Sequence, residues 1–223
     1  MLLKIHKLNK SYKINTSEEV SVFKNLDFTL DNDKIVSIYG PSGIGKTTFL
    51  NIIGTVDTPD SGDIYLNNIK YRKDNYRKIR KDSIGYMFQF HYLLPEFTVF
   101  ENLELTLKIK DDSALDANSF RYVIDELLDD FGILDKKESY PSELSGGEKQ
   151  RVSLARSIIN KPLIVLADEP TGNLDSLNTN LIIDKIHKIS ESHNVKFIIA
   201  THNNSFKKIA NSIYTIKDKV LIK

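Results

Sequence analysis

Gly40-Pro41-Ser42-Gly43-Ile44-Gly45-Lys46-Thr47-Thr48 decides how the rest of the chain is read. It fits the pattern G-x-x-x-x-G-K-[ST], a loop whose backbone cradles phosphates. Ile35-Val36-Ser37-Ile38-Tyr39 before it is β-branched and aromatic and reads as a buried strand, and Phe49-Leu50-Asn51-Ile52-Ile53 after it reads as the opening of a helix. Strand, glycine loop and helix form the context the pattern requires. The glycines let the backbone bend so that several N–H groups point at one anion. The helix N-terminus adds a partial positive charge at the same point. In such a loop Lys46 reaches the β- and γ-phosphates and the Thr47 hydroxyl ligates Mg²⁺. The bland alternative is a glycine-rich turn with a chance lysine, and both flanks argue against it.

Outward from this loop the texture is α/β. Residues 2–8 and 22–30 read as strands joined by a polar loop from Lys13 to Glu19, with Tyr12 at the end of the first strand. Thr58 to Asp63 is a turn cluster, Ile64-Tyr65-Leu66 alternates back into a strand, and Asn67-Asn68 reads as a tight turn. A short basic helix is expected from Asp74 to Lys81, then a strand over Ile84 to Phe88 that ends at Gln89. Apolar spacing is helical from Thr98 to Lys110 and from Ala114 to Asp130, with Asp111-Asp112-Ser113 as connector and Ser113 as a helix cap. Pro141 to Gly147 reads as a loop and Glu148 to Asn160 as a helix. Leu163 to Ala167 is a continuous apolar run, as in a central parallel strand covered on both faces. A helix over Leu177 to Ser192, a strand over Val195 to Ala200 and a hairpin around Lys217-Asp218-Lys219 complete the chain. Strands alternating with helices predict an α/β fold with a mainly parallel sheet.

Bulk properties narrow the class. With 223 residues the chain has room for one sizeable domain or two small ones. A net charge of +1 suggests no broad nucleic-acid footprint, so no nucleic-acid partner is expected. The absence of cysteine excludes disulfides, thiolate metal sites and cysteine nucleophiles. No apolar run approaches the roughly 18 residues of a membrane helix, and the alternating N-terminus reads as a strand, not a signal peptide. A cytosolic chain, or one held at a membrane by a partner, is expected.

Two further stretches carry chemistry. Asp168-Glu169 follows the apolar run, at the strand end that faces the ligand crevice in open α/β sheets. There Asp168 is placed to hold Mg²⁺ and Glu169 to polarise an attacking water as general base; the bland alternative is an acidic pair opening a loop. Leu144-Ser145-Gly146-Gly147-Glu148 is a second glycine loop directly before a helix, and so a second anion site. One nucleotide has one γ-phosphate. The economical use of the second loop is a contact with the nucleotide bound to another copy of the chain.

A phosphate loop, a glutamine after a strand, Leu-Ser-Gly-Gly-Glu, an apolar run ending in Asp-Glu, then Thr201-His202 after a strand: in this order the elements resemble the nucleotide-binding subunit of ATP-binding-cassette (ABC) transporters. The resemblance covers nearly the whole chain. It implies a P-loop nucleotide-binding domain over 1–223, with 1–89 and 140–223 as the ATP-binding core, an antiparallel β subdomain, and an inserted helical subdomain over about 90–139. It implies that Tyr12 stacks on adenine and that Gly40 to Thr48 hold the phosphates. Gln89 approaches Mg²⁺ and the attacking water, and His202 holds the γ-phosphate. Ser145 and Gly147 reach the γ-phosphate of the opposite protomer, and Ser145, Gly146, Gly147 and Asp175 form the dimer interface. The cofactors implied are ATP and Mg²⁺, and the partner is a second copy enclosing two nucleotides. Asn203 departs from the pattern, where the family usually has Asp.

Gly54 to Asp63, Ala167 to Asp175 and Phe88 to Thr98 look like the branch that powers mechanotransmitting exporters, and the lipoprotein-releasing subunits in particular. This implies integral membrane subunits (LolC/LolE-like) and a place at the cytoplasmic face of the inner membrane, peripheral through those subunits. Macrolide or peptide efflux and the cell-division complex are the alternatives in this class. Soluble cassette ATPases of DNA repair carry a long coiled coil, and those of translation carry two cassettes; this chain has neither. The aromatics Phe90, His91, Tyr92, Phe97 and Phe100 suit either a groove for a membrane partner's helix or the core of the helical subdomain itself.

Overall fold

The structure, a computed structural model, describes residues 1–15, 18–110 and 117–223. Two sheets carry the strands. One is antiparallel, in the order β2-β1-β4-β5, from β1 (Leu3–Asn15), β2 (Glu18–Leu30), β4 (Ser61–Leu66) and β5 (Ile69–Lys70). The other has the order β10-β9-β3-β8-β7-β6, from β3 (Ile35–Tyr39), β6 (Ile84–Met87), β7 (Ile164–Asp168), β8 (Lys196–Ala200), β9 (Ser212–Lys217) and β10 (Val220–Ile222). All its pairings are parallel except the terminal hairpin β9–β10. Among the described residues, six α-helices join them: α1 (Lys46–Ile53), α2 (Tyr76–Ser83), α3 (Val99–Lys110), α4 (Ala117–Asp130), α5 (Gly146–Ile158) and α6 (Ser176–Ser192).

The central sheet separates two cores, and alternation along each strand decides which core a side chain joins. Ile35, Val165, Ala167, Phe197 and Ile199 face α3 to α6. Val36, Ile38, Ile164, Leu166 and Ile198 face α1 and the antiparallel sheet. Covering on both faces is why β3, β7 and β8 are predominantly apolar, with Ser37 buried inside β3, Asp168 at the end of β7 and Lys196 at the start of β8. Gly85 on β6 lets α5 approach closely, since a Cβ there would lie 1.9 Å from the Ser157 carbonyl oxygen.

Three expectations are corrected. Most of the expected polar loop from Lys13 to Glu19 is strand: Lys13 pairs with Glu19 and Asn15 with Glu18. Tyr12 therefore lies inside β1, opposite Val20, and not at its end. Strand pairing uses backbone groups, which a polar sequence does not forbid. The expected loop over Pro141 to Gly147 contains a 3₁₀ turn at Pro141–Glu143, and α5 already begins at Gly146. The connector Asp111-Asp112-Ser113, with the cap assigned to Ser113, lies outside the described residues. Asn67 and Asn68 both adopt positive φ, 48° and 62°, as a tight hairpin turn requires.

The aromatic segment after β6 divides between its two readings. Leu93 and Phe100 pack against the helical side of the core. Phe90 and Tyr92 stay 62% and 64% exposed. Tyr92 also lines a groove of about 330 Å³ between α3 and α5, together with Phe88, Leu94, Leu105, Ile109 and Arg156. Among the described residues, no helix is long and apolar enough to cross a membrane.

Candidate nucleotide site and a second glycine loop

The loop after β3 turns through Gly40, Gly43 and Gly45, all at positive φ. Gly45 has φ 114°, and a Cβ on it would press to 2.6 Å from Val22. That geometry excludes other residues and seats the loop against β2. Lys46 opens α1 and its ammonium folds back over the loop, donating to the Gly40 and Pro41 carbonyls at 2.7 and 3.2 Å. Ile44 packs inward against the α1 core.

The ends of three parallel strands meet this loop. Asp168 closes β7, and its Oδ2 accepts from the Thr47 hydroxyl at 2.7 Å. Burial raises the Asp168 pKa, a shift that Thr47 opposes and Glu169 reinforces. Glu169 follows at φ 44°, an uncommon backbone for a residue with a side chain. Its backbone N–H is anchored to the Ala200 carbonyl at 2.8 Å. Its Oε2 faces His202 Nδ1 at 3.0 Å and accepts from the Thr201 hydroxyl at 3.1 Å. Its Oε1 lies 3.9 Å from Lys46 Nζ. The histidine is 72% exposed, so its imidazole meets the solvent side of the site while Glu169, 12% exposed, forms its floor. Asn203 takes part through both ends of its amide: Oδ1 accepts from the Ser205 N–H at 2.9 Å and Nδ2 donates to Thr171 Oγ1 at 3.1 Å. An aspartate there would need the threonine hydroxyl to reverse its role.

Tyr12, Ser42, Gly43, Gly45, Lys46, Thr47, Thr48, Gln89, Asp168, Glu169 and His202 line one cleft of about 560 Å³, joined by Val20 and Val22. The two valines carried no signal in the sequence. They enter because β2 passes directly beside the phosphate loop, with Val22 against Gly45. Thr47 and Asp168 bring two hard oxygen donors together and Gln89 lines the same cleft, and one carboxylate beside phosphate oxygens is how Mg²⁺ is usually held. The residues therefore fit that ion. A cation would also relieve the cost of keeping the Asp168 charge buried.

Ser145, Gly146, Gly147 and Asp175 stand apart from this cleft. Ser145 caps α5: its hydroxyl accepts from the Glu148 N–H at 3.3 Å and donates to Glu148 Oε2 at 2.7 Å. Hydrogen bonds from the Ser145 hydroxyl and backbone hold the Glu148 carboxyl below its usual range. Asp175 caps α6 through the Asn178 N–H at 2.8 Å and also receives the Asn178 side chain at 2.7 Å. Gly147 joins the two caps, because a Cβ on it would lie 2.2 Å from Asn178 Oδ1. Ser145, Gly146 and Asp175 are exposed. Two helix N-termini thus share one open surface.

Comparison with known proteins points one way. A family model described as ABC transporter matches residues 23–172. The lipoprotein-releasing system ATP-binding protein LolD of Buchnera aphidicola is 40% identical over 98% of this chain and 95% of its own length. LolD of Rickettsia typhi is 39% identical over 99% and 97%. A dimeric ATP-binding cassette, MJ0796, solved in a post-hydrolysis state bound to ADP and Pi, superposes with a TM-score of 0.91 at 35% identity, over 100% of this chain and 97% of that one.

Proposed function

This chain belongs to the ABC transporter family of ATP-binding cassettes, and we propose that it is the ATP-hydrolysing subunit of a lipoprotein-releasing complex. The observation that carries the ATPase part is the meeting of Lys46, Thr47, Asp168, Glu169 and His202 in one cleft. The near-full-length likeness to LolD supports the transport process. The nucleotide enters with its phosphates on the Gly40 to Thr48 loop and its base against Tyr12. Lys46 exchanges its loop carbonyls for phosphate oxygens. Thr47, Asp168 and Gln89 hold Mg²⁺, which supplies charge neutralisation on the phosphates. Glu169 orients the attacking water and takes its proton, and His202, on the solvent side of the same carboxylate, meets the γ-phosphate.

The second glycine loop completes the site from another copy of the chain. Ser145 and Gly147 reach the nucleotide in the partner's cleft, and Asp175 lies between the copies. The γ-phosphate then joins two subunits, and its loss lets them part. The groove between α3 and α5, with exposed Tyr92 at its edge, suits an amphipathic helix of a membrane subunit of the LolC/LolE kind. On this reading the chain works at the cytoplasmic face of the inner membrane, peripheral through those partners.

Affinity purification from native membranes in mild detergent tests the whole reading. Paired membrane subunits with acylated lipoproteins are expected. Membrane subunits without lipoproteins would move the assignment to drug or peptide efflux, and recovery of no membrane protein from an intact complex would overturn it.

A further inference from the structure

We propose that Asp57 and Lys10 are positioning residues for the nucleotide base, tying the Tyr12 ring to the same helix that carries the phosphate loop. The inference rests on the reading of Tyr12 as the residue that stacks on the base. Asp57 follows α1, and its backbone N–H donates to the Asn51 carbonyl at 3.1 Å. Its carboxylate is held from three sides. Lys10 Nζ donates to Oδ1 at 2.8 Å, the Thr58 N–H donates to the same oxygen at 2.6 Å, and the Tyr12 hydroxyl donates to Oδ2. Burial opposes ionisation of Asp57, yet the bonds from Lys10, Tyr12 and Thr58 hold it below the usual carboxylate range.

Lys10 is the unusual member. It is a lysine only 7% exposed, and its ammonium also donates to the Thr58 carbonyl at 2.8 Å. A buried lysine is costly unless its charge is matched, and here the match is the carboxylate that grips Tyr12. The same ammonium lies 4.6 Å from the Tyr12 ring centroid. Lys10 does not line the cleft, whereas Tyr12 does. The cation therefore occupies the protein side of the ring and leaves the other face to a base.

The consequence is a fixed span. α1 carries Lys46, Thr47 and Thr48 at its start and Asp57 just past its end, so one rigid element sets both the phosphate position and the base platform. An untethered tyrosine 40% exposed would lose side-chain freedom on each binding event. The tether removes that cost beforehand. It also commits the phenol hydroxyl, so the ring meets the base by its face.

The test is equilibrium binding of Mg-ATP and of Mg-tripolyphosphate, which lacks a base, to the full chain. Tyr12→Phe keeps the ring and removes the tether; Asp57→Ala removes it from the other side. Tyr12→Phe is expected to weaken ATP about tenfold, in line with one lost charge-assisted hydrogen bond, and Asp57→Ala by at least as much, since it also leaves the Lys10 ammonium unmatched. Tripolyphosphate should bind unchanged, and the double variant should be no weaker than Asp57→Ala alone. Tyr12→Ala separates the two readings. If it weakens ATP while Tyr12→Phe and Asp57→Ala do not, the ring acts without the tether and the inference falls. If Tyr12→Ala also leaves ATP binding intact, the stacking role itself fails. If Asp57→Ala weakens tripolyphosphate as much as ATP, Asp57 supports the phosphate loop and not the base.

Discussion

The cleft beside α1 and the surface formed by the starts of α5 and α6 are both built from glycine loops and helix N-termini, yet they stand in opposite conditions. In the cleft, loop, strand ends and carboxylates converge from residues far apart in the chain: Thr47 meets Asp168, and Glu169 meets His202. At the second surface each helix caps itself within three residues, Ser145 with Glu148 and Asp175 with Asn178. The first is organised by the fold of one chain. The second is capped within its own helices, yet Ser145, Gly146 and Asp175 remain exposed. In the function proposed above, similar local chemistry serves capture in one place and assembly in the other, and long-range packing makes the difference.

The sharpest break of that comparison is Glu169→Gln. Turnover should fall by roughly a thousandfold, as for loss of a general base, while ATP binding persists and ATP traps a dimer on a sizing column. A variant that stays monomeric with ATP would sink either the closure model or the base assignment. Ser145→Arg attacks the other surface. ATP-dependent association should weaken by roughly a hundredfold from the added bulk and charge, with binding by the single chain unchanged by dialysis. If monomer affinity drops equally, the two regions are not separate.

Asp168→Asn offers a smaller effect with a telling sign. The folded-state pKa of this group is raised by burial, so its ionised form costs stability at neutral pH, and that cost fades as pH falls through the raised value. The amide keeps the Thr47 hydrogen bond without the charge. The nucleotide-free chain should gain stability at neutral pH, seen as a rise in thermal midpoint, while Mg²⁺-dependent turnover is lost. An unchanged or lower midpoint would show that the cleft holds no stored electrostatic cost.

The second surface should respond to acid in the opposite direction. Glu148 and Asp175 both have depressed folded-state pKa values, Glu148 through the Ser145 hydroxyl and backbone and Asp175 through the Asn178 backbone N–H. Their contribution is present above the ordinary carboxylate range, about pH 4, and is lost as pH falls through the lowered values. The fall in thermal midpoint on acidification should be shallower in Glu148→Gln. An identical slope would mean that the α5 cap contributes nothing.

Much of this was legible before any coordinates. The run Ile35 to Tyr39 reads as a strand and is β3, and Leu163 to Ala167 marks β7 to within one residue, because a strand covered on both faces is predominantly apolar, Ser37 being the one polar side chain within β3. Lys13 to Glu19 misled, because polarity marks solvent and not the absence of pairing. The aromatics after Gln89 could not be apportioned from sequence either. Exposure of Tyr92 and packing of Phe100 depend on where α3 and α5 lie. Lys10 and Asp57 passed unnoticed, since a lysine in a strand of mixed polarity and an aspartate after a helix are ordinary residues until the two meet.

By itself, then, the sequence determined the local chemistry: glycines where the backbone must turn around an anion, carboxylates after a buried strand, caps ahead of α5 and α6. These depend on residue type and short spacing, which the chain carries with it. Only the tertiary structure decided which of these groups share a site. Thr47 and Asp168 are joined because β3 and β7 flank β8 in one parallel sheet, and parallel order is set by crossovers that local propensity does not encode. The same packing turned Ser145 away from the cleft of its own chain.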